Sequence, residues 1–472
     1  MLLIEAINNQ FIKHRWYDDS TISRVAERNT SFTGTTIYVD PTKADNTGDG
    51  LTPATAKKTI GAAYGAAANG GILQLLDGTY DIENETGGYL LVNTSTKGVL
   101  IQGNANDNTA VVVRRTSAGS YIFRFRDCKE CRLQNLTITN DQNGSCVEND
   151  STYNRAIVIK NCVITNTNAG SSAFAVSLNC VKTETNTLHY EINGCTISAK
   201  CANNPIKIGA TGINTTILVT NCSITHDSEV TWRTIDTNKG TIAIYNTTFV
   251  KGSSHVILQI GNDSTAPVEG VTGLVDIRNC TFSYTGTFRQ HAILCGRGSD
   301  KVYLINNKVL IPSQNDVAAI GIVLKTTTTT VGQSLILGNY VEAPRPVLVK
   351  GGKNLTISYN SFVANYSTRY SLDFSNAKEV DAVDLEVTGN IVTYNNCIGI
   401  AGMIVLGSST TVNSTKTSLL SSTIDYNKYY SVVDIYISET GVGNVSWANK
   451  ATFWGNNNDL NSLIIHSSKI IV

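Results

Sequence analysis

The chain has 472 residues, its 37 Lys+Arg balance 37 Asp+Glu, and only 16% of it is charged. A net charge of zero argues against a general nucleic-acid binder, which needs a cationic excess to displace counterions, and the 41% hydrophobic content argues against disorder. No stretch approaches the ~18 apolar residues of a membrane span, and 48 Asn and 57 Thr against 7 Pro and 2 Met read as strand and turn rather than helix.

An ordinary globular chain of this length would form two or three domains. A repeat protein escapes that rule because each unit touches only its neighbours. The 11 Cys are odd in number and lie at no short paired spacing. Apart from Cys128 and Cys131, they fit reduced thiols made in a cytoplasm better than a disulfide scaffold. The N-terminus has an early Glu5 and no basic n-region, so it lacks the pattern of a secretion signal.

Taken in chain order, residues 1–36 stand apart. Leu3, Ile7 and Phe11, with Ile4, Ile12 and Trp16 beside them, predict a short amphipathic helix. It either folds back on the body or anchors the chain to a larger assembly. Ile37 to Asp40 reads as a strand ending at Pro41, and Asp40–Gly50 as a turn-rich loop. A helix is expected near residues 58–69, with Thr59 as N-cap and Gly70 as stop. Ile72–Leu76 is a strand closed by Asp77-Gly78.

From about residue 90 the sequence repeats itself as an aliphatic strand, an Asn- or Gly-containing corner and a short strand. Ile157-Val-Ile-Lys-Asn161-Cys162-Val-Ile164 and Ile217-Leu-Val-Thr-Asn221-Cys222-Ser-Ile224 are two such copies. The corner column reads 135, 162, 195, 222, 247, 280, 307, 339, 360 and 390, a period of 21–33 residues. A variable period of this size marks a solenoid. Equivalent side chains then stack about 4.8 Å apart, so small Cys suits a buried rung and Asn suits both the left-handed bend and an amide ladder. A second strand series follows each corner, as in Phe174–Leu178 and His291–Cys295. The expected fold is all-β, a parallel β-helix of about eleven coils spanning residues 37–430, with 37–80 as its opening and cap. Residues 431–472, ending in Leu463-Ile-Ile465 and Ile470-Ile-Val472, would cap the last coil or join identical neighbours.

Tyr38-Val-Asp40-Pro41, Asp45-Asn-Thr-Gly-Asp-Gly50, Pro53, Lys58-Thr-Ile60 and Asp77-Gly-Thr-Tyr80, with the coils that follow, resemble the right-handed parallel β-helix proteins of the pectate-lyase-like group. The resemblance covers about 37 to 430 as a pattern of coils. It implies a short helix over the open end of the first coil. It leaves function open among polysaccharide lyases, hydrolases, epimerases, phage tailspikes and structural proteins.

Standard catalytic motifs are absent. Cys128-Lys-Glu-Cys131 is a lone CxxC that lacks two further zinc ligands, so no metal is expected there. The three Asp of the Asp40–Gly50 loop leave calcium open, but a solvated turn is the simpler reading and no cofactor is expected. In one strand Arg124 and Arg126 share a face and would clamp an acidic glycan. In the second strand series Ser177, Lys207, Asp236, Gln259 and Leu294 align, and Trp232, Arg233, His255 and His291 fall a few residues earlier in their coils. Asp236 and His255 are the acid–base candidates. Lys207, Trp232, Arg233, Gln259 and His291 are the candidates for sugar contact. Weak carboxylate partners for Asp236 favour a binding groove over catalysis.

The expected role is a virion-associated β-helix protein, tailspike or other appendage. It would be made in a host cytoplasm, joined to other virion proteins through its N-terminal segment, and homotrimeric. It would bind a surface polysaccharide, with depolymerisation a further expectation, and neither nucleic acid nor membrane. The alternatives are a free-standing, extracellular polysaccharide lyase or glycoside hydrolase, and a purely structural spacer.

Overall fold

A computed structural model describes residues 22–93, 97–126, 129–149, 156–170, 173–180, 188–200, 205–210, 215–226, 235–237, 241–252, 256–260, 274–286, 291–295, 301–311, 319–324, 334–349, 352–353, 355–365, 371–374, 387–388, 391–399, 404–406, 423–431, 437–439, 443–445, 449 and 461–466. It is an all-β parallel β-solenoid. Two compact units make it up, Arg24–Ser253 and Met1–Ser23 with Ser254–Val472.

In the first unit, one coil is three short strands. Ala156–Lys160 turns at Asn161-Cys162 into Val163–Asn166, and Val176–Cys180 completes the circuit. Each strand pairs in register with its equivalents one coil away, as Ile157 does with Cys131 and Tyr190. Residues alternate across each strand, so Ile157, Ile159, Ile164 and Val176 fill the interior at 0% exposure. The three sheets hold eight, six and seven strands in this unit. The coil count therefore differs from the eleven read in the sequence. The corner column began at residue 135, after the strands Thr36–Val39 and Gly71–Leu75 that were read as the opening of the fold, and left out the coil containing Val99–Gln102.

The expected helix is Ile60–Ala66. Thr59 accepts from the Ala62 amide at 3.3 Å, and the buried Glu85 carboxylate accepts from the Ile60 and Gly61 amides at 2.7 and 2.8 Å. These bonds satisfy the first-turn donors that a helix leaves unpaired. The Asp40–Gly50 loop holds itself together. Asp40, Asp45 and Asp49 accept from the Thr42, Thr47 and Leu51 amides at 2.9 Å, so its carboxylates serve turns.

Residues 24–35 are not detached from the body. Val25 packs on Leu218, Ala243 and Tyr245, the Arg28 amide donates to Glu191 at 2.8 Å, and the Gly34 amide donates to the Gly70 carbonyl at 2.9 Å. This extended strap crosses successive coils on the outer face of one sheet. The helix expected from Leu3 to Trp16 lies outside the described residues.

The second unit repeats the circuit with sheets of six, eight and seven strands. Its corner column is a continuous amide ladder. Asn307 donates through Nδ2 to Asn339 at 3.0 Å, Asn339 to Asn360 at 2.9 Å, Asn360 to Asn395 at 3.0 Å and Asn395 to Asn427 at 3.0 Å. The same column in the first unit uses Cys162, Cys195, Cys222 and Thr247. There the Cys195 and Cys222 thiols meet strand carbonyls at 3.1–3.5 Å.

The last corner of the sequence-read column is corrected by the structure. Asn395, not Asn390, follows Asn360 in the ladder. Ile391–Thr393 is the rung strand, while Val387–Thr388 pairs with Gly352–Lys353 in a separate two-stranded sheet. Two adjacent aliphatic-Asn patterns end five residues apart, at Asn390 and Asn395, and only hydrogen bonding to the previous rung distinguishes them. At the other end, Asn135 itself is the left-handed bend, at φ 55°, so Leu136 and not Asn135 matches Cys162. Leu463–His466 pairs in register with Lys428–Ser431, so part of the apolar C-terminal stretch is a further rung.

Candidate functional site

The outer column of one sheet in the first unit collects the charged side chains. Register places Arg124 opposite Glu148, Glu148 opposite Ser177, Ser177 opposite Lys207 and Lys207 opposite Asp236. Neighbours in such a column sit about 4.8 Å apart, so alternating sign relieves repulsion and leaves one polar stripe. The alignment of Ser177, Lys207 and Asp236 is as expected. Lys207 lies over the Phe174 ring, 5.8 Å from its centroid, and Ser145 donates to Glu148 at 2.8 Å.

At the Arg124 end the stripe opens onto a pocket of about 510 Å³. Its walls are Glu83, the 87–89 turn, Arg115, the 117–121 loop and Arg124. The turn needs glycine, because Gly87 and Gly88 both take left-handed conformations, φ 82° and 69°. It delivers the Tyr89 ring, which meets Tyr121 edge-to-face at 6.1 Å. The Arg124 guanidinium lies over the Tyr121 ring, 4.7 Å from its centroid.

Arg115 is a strut rather than a ligand contact. It is buried, and it donates through Nε to the Tyr121 carbonyl at 3.1 Å and through Nη2 to the Gly88 carbonyl. It thereby ties the two tyrosine-bearing segments together. A Cβ at Gly119 would come within 1.9 Å of the Arg115 Nη1, so a side chain there would displace the strut.

Glu83 closes the pocket floor. Its Oε1 accepts from the Thr116 and Ser117 amides, both at 2.8 Å, and from the Ser117 hydroxyl at 3.1 Å. Its Oε2 is buried without a hydrogen-bond partner. Burial alone would raise its pKa, but the amides of Ser117 and Thr116 outweigh that and hold the carboxyl below its usual range. Glu83 is therefore an acceptor near neutral pH and a poor proton donor.

Of the other expected site residues, Arg126 lies on the same strand face as Arg124, in register with Asn93. Gln259 and His291 belong to the second unit. There Gln259 is buried opposite Leu294, and His291 opens its strand opposite Ile320. Trp232, Arg233 and His255 lie outside the described residues. Asp236 is placed by its backbone register alone. Cys131 of the lone CxxC is buried in the stack and Cys128 lies outside the described residues. Among the described residues no cluster of three His, Cys, Asp or Glu could hold a metal ion. Sequence reasoning missed Glu83, Tyr89 and Tyr121 and gave Arg115 no role of its own. The signal for Tyr89 was present: a Gly-Gly pair before an aromatic residue marks a turn that presents it.

No protein-family model and no curated protein matches the sequence. Two solved structures are similar along most of its length, both of the GH136 lacto-N-biosidase from Eubacterium ramulus. The selenomethionine derivative has 10% identity and a TM-score of 0.38, covering 91% of this chain and 67% of that one. The native protein has 11% identity and a TM-score of 0.35, covering 92% and 68%. At that TM-score neither residue correspondence nor activity transfers.

Proposed function

We propose that this protein binds an acidic, hydroxyl-rich glycan of a host surface through the Tyr89–Tyr121–Arg124 pocket and the polar stripe running from it. The observation that carries the reading is the composition of the pocket. Two tyrosine rings offer apolar surface to a sugar, and a guanidinium offers donors to a carboxylate. A volume of about 510 Å³ lies within the range of ligand pockets. Binding is favoured over cleavage because glycoside hydrolysis needs a protonated carboxylic acid beside a second carboxylate, and Glu83 is held ionised.

The test is calorimetric titration with a uronate oligosaccharide and with the same oligosaccharide after carboxyl reduction. The acidic form should bind, and Arg124→Ala or Tyr121→Ala should weaken it at least tenfold. Equal affinity for both sugars, or no effect of either substitution, refutes the pocket. The finer proposal is a homotrimeric virion appendage. It predicts a native mass near three times 50.8 kDa by light scattering, and a monomer at all concentrations sinks it.

A further inference from the structure

The second unit carries a second feature that stability does not explain. In six coils the left-handed corner is taken by Asn: 135, 161, 221, 246, 279 and 306, at φ 49–56°. Two more corners use Gly194 and Gly338. These are the residues that tolerate φ > 0. The last three described corners are instead Tyr359, Tyr394 and Tyr426, at φ 61°, 59° and 56°. A bulky residue in this region is a true outlier, costing on the order of 1–2 kcal/mol, and strain of this kind concentrates where function requires it.

The three rings form one stack. Tyr359 and Tyr394 lie 5.2 Å apart with planes 4° from parallel, and Tyr394 and Tyr426 lie 5.1 Å apart at 11°. The stack does not bury them. Among the described residues only four large hydrophobic side chains are exposed, and three of them are Tyr394, Tyr426 and Ile391, the first residue of the strand that leads into Tyr394. Ile391 pairs in register with the half-buried Thr356, beside the same corner. Apolar exposure is thus gathered on one stripe that climbs the coils.

The chemistry of the stripe selects its occupant. Four partly exposed side chains supply roughly 300–400 Å², and by themselves they fall short of the ~800 Å² per partner of a stable protein interface. None of the four is charged, the neighbouring Asp425 carboxylate is taken up by the Tyr426 and Asn461 amides at 2.9 and 2.7 Å and by the Asn461 side chain at 2.7 Å, and the exposed Lys428 beside Tyr426 is a single cation where an anionic polymer needs several. An added peptide strand needs a free sheet edge, and Leu355–Ser358 is paired on both sides. What remains is a narrow, extended, uncharged ligand with alternating apolar and hydroxyl surface. We infer that the Tyr359–Tyr394–Tyr426 stripe binds a chain of neutral pyranose residues. Sugar C–H groups would lie on Ile391, and sugar hydroxyl oxygens would meet the ring edges and the phenols. This surface is separate from the acidic-glycan pocket of the first unit.

The corner column supplies its own test. Asn suits this backbone better than Tyr, so Tyr394→Asn/Tyr426→Asn should keep or raise the thermal midpoint while removing the stripe. The probes are cellohexaose, maltohexaose and laminarihexaose, read by saturation-transfer NMR and calorimetry. The wild-type protein should bind at least one, and the double variant should bind it at least tenfold more weakly. Binding of none of the three by the wild type, undiminished binding by the variant, or a lowered midpoint of the variant each overturns the inference, the last because the stack is then structural. Arg124→Ala should leave this binding untouched, so failure of the pocket and failure of the stripe are read independently.

Discussion

Replacing Asn360 by alanine tests whether the amide ladder holds the second unit together. The Asn360 side chain is fully buried and makes five hydrogen bonds. Its two Nδ2 hydrogens are shared among the Ile336 carbonyl at 2.8 Å, the Ser358 carbonyl at 3.0 Å and Asn395 Oδ1 at 3.0 Å. Its Oδ1 accepts from the Asn339 amide at 2.8 Å and Asn339 Nδ2 at 2.9 Å. Truncation strands the Asn339 amide, a cost of ~1–3 kcal/mol for a buried donor. The other lost bonds and the cavity bring the total to about 3–5 kcal/mol. Asn395 Oδ1 keeps the Asn360 amide at 3.1 Å, which limits the damage to one rung. Asn246→Ala is the control. That side chain sits at an exposed corner and donates to Asn221 at 3.1 Å, so its loss should cost only about 1 kcal/mol for the left-handed bend. Urea unfolding gives the stability difference, and hydrogen exchange at the Asn339 amide gives its location. A cost for Asn360→Ala below about 1 kcal/mol, or unchanged protection at Asn339, would refute the ladder as a stabilising element.

Three further outcomes follow from the same structure. The Glu83 pKa is depressed, so its contribution is present above the ordinary carboxyl range and is lost as pH falls through the lowered folded value; glycan binding at the pocket should weaken with acid, and Glu83→Gln should flatten that dependence while weakening binding at neutral pH. Arg278 and Asp276 are both fully buried and bonded at 2.6 and 2.8 Å, and Arg278 also donates to the Ile22 and Ser23 carbonyls; Arg278→Met should cost about 3–5 kcal/mol in urea unfolding, and adding Asp276→Leu should recover most of it. Among the described residues eight Cys are buried, and burial pushes the Cys295 thiol up to about 12; a thiol reagent at pH 8 should titrate at most the three others (Cys128, Cys180 and Cys201) before unfolding, and rapid reaction of more would contradict the packed corner column.

The solenoid was legible because its signals are local and repeated. The pair Asn161-Cys162 and its copies mark both the bend and the buried rung, and each coil restates them. Register could be read to the residue where side chains differ in size and polarity, as in the Ser177–Lys207–Asp236 column. It failed where two such patterns adjoined, at Asn390 and Asn395, because hydrogen bonding to the previous rung decides between them. The strap was illegible for a related reason. Residues 24–35 have no periodicity, and their order comes from contacts such as Arg28 with Glu130 at 3.0 Å, across about a hundred residues. The pocket combines both difficulties. Arg124 stood out as a charge in an aliphatic strand, but Glu83 and Tyr89 lie one coil earlier in a loop, and nothing in their spacing points to Arg124.

The two corner columns explain why composition says so little about the site. A side chain repeated every coil faces its own copies, so it must be neutral and self-complementary. Asn meets this by donating and accepting at once, with bonds of 2.9–3.0 Å from rung to rung. Cys meets it by small size and weak bonds to strand carbonyls at 3.1–3.5 Å. Both choices dilute charge throughout the chain, and a balanced total follows from stacking rather than from the ligand. Charge survives on the outer positions of a strand column, where Arg124 stands opposite Glu148 and Lys207 follows beyond Ser177. Departures from the repeat therefore carry the functional information: a charged outer column beside a glycine turn in one unit, and tyrosines at bends built for asparagine in the other.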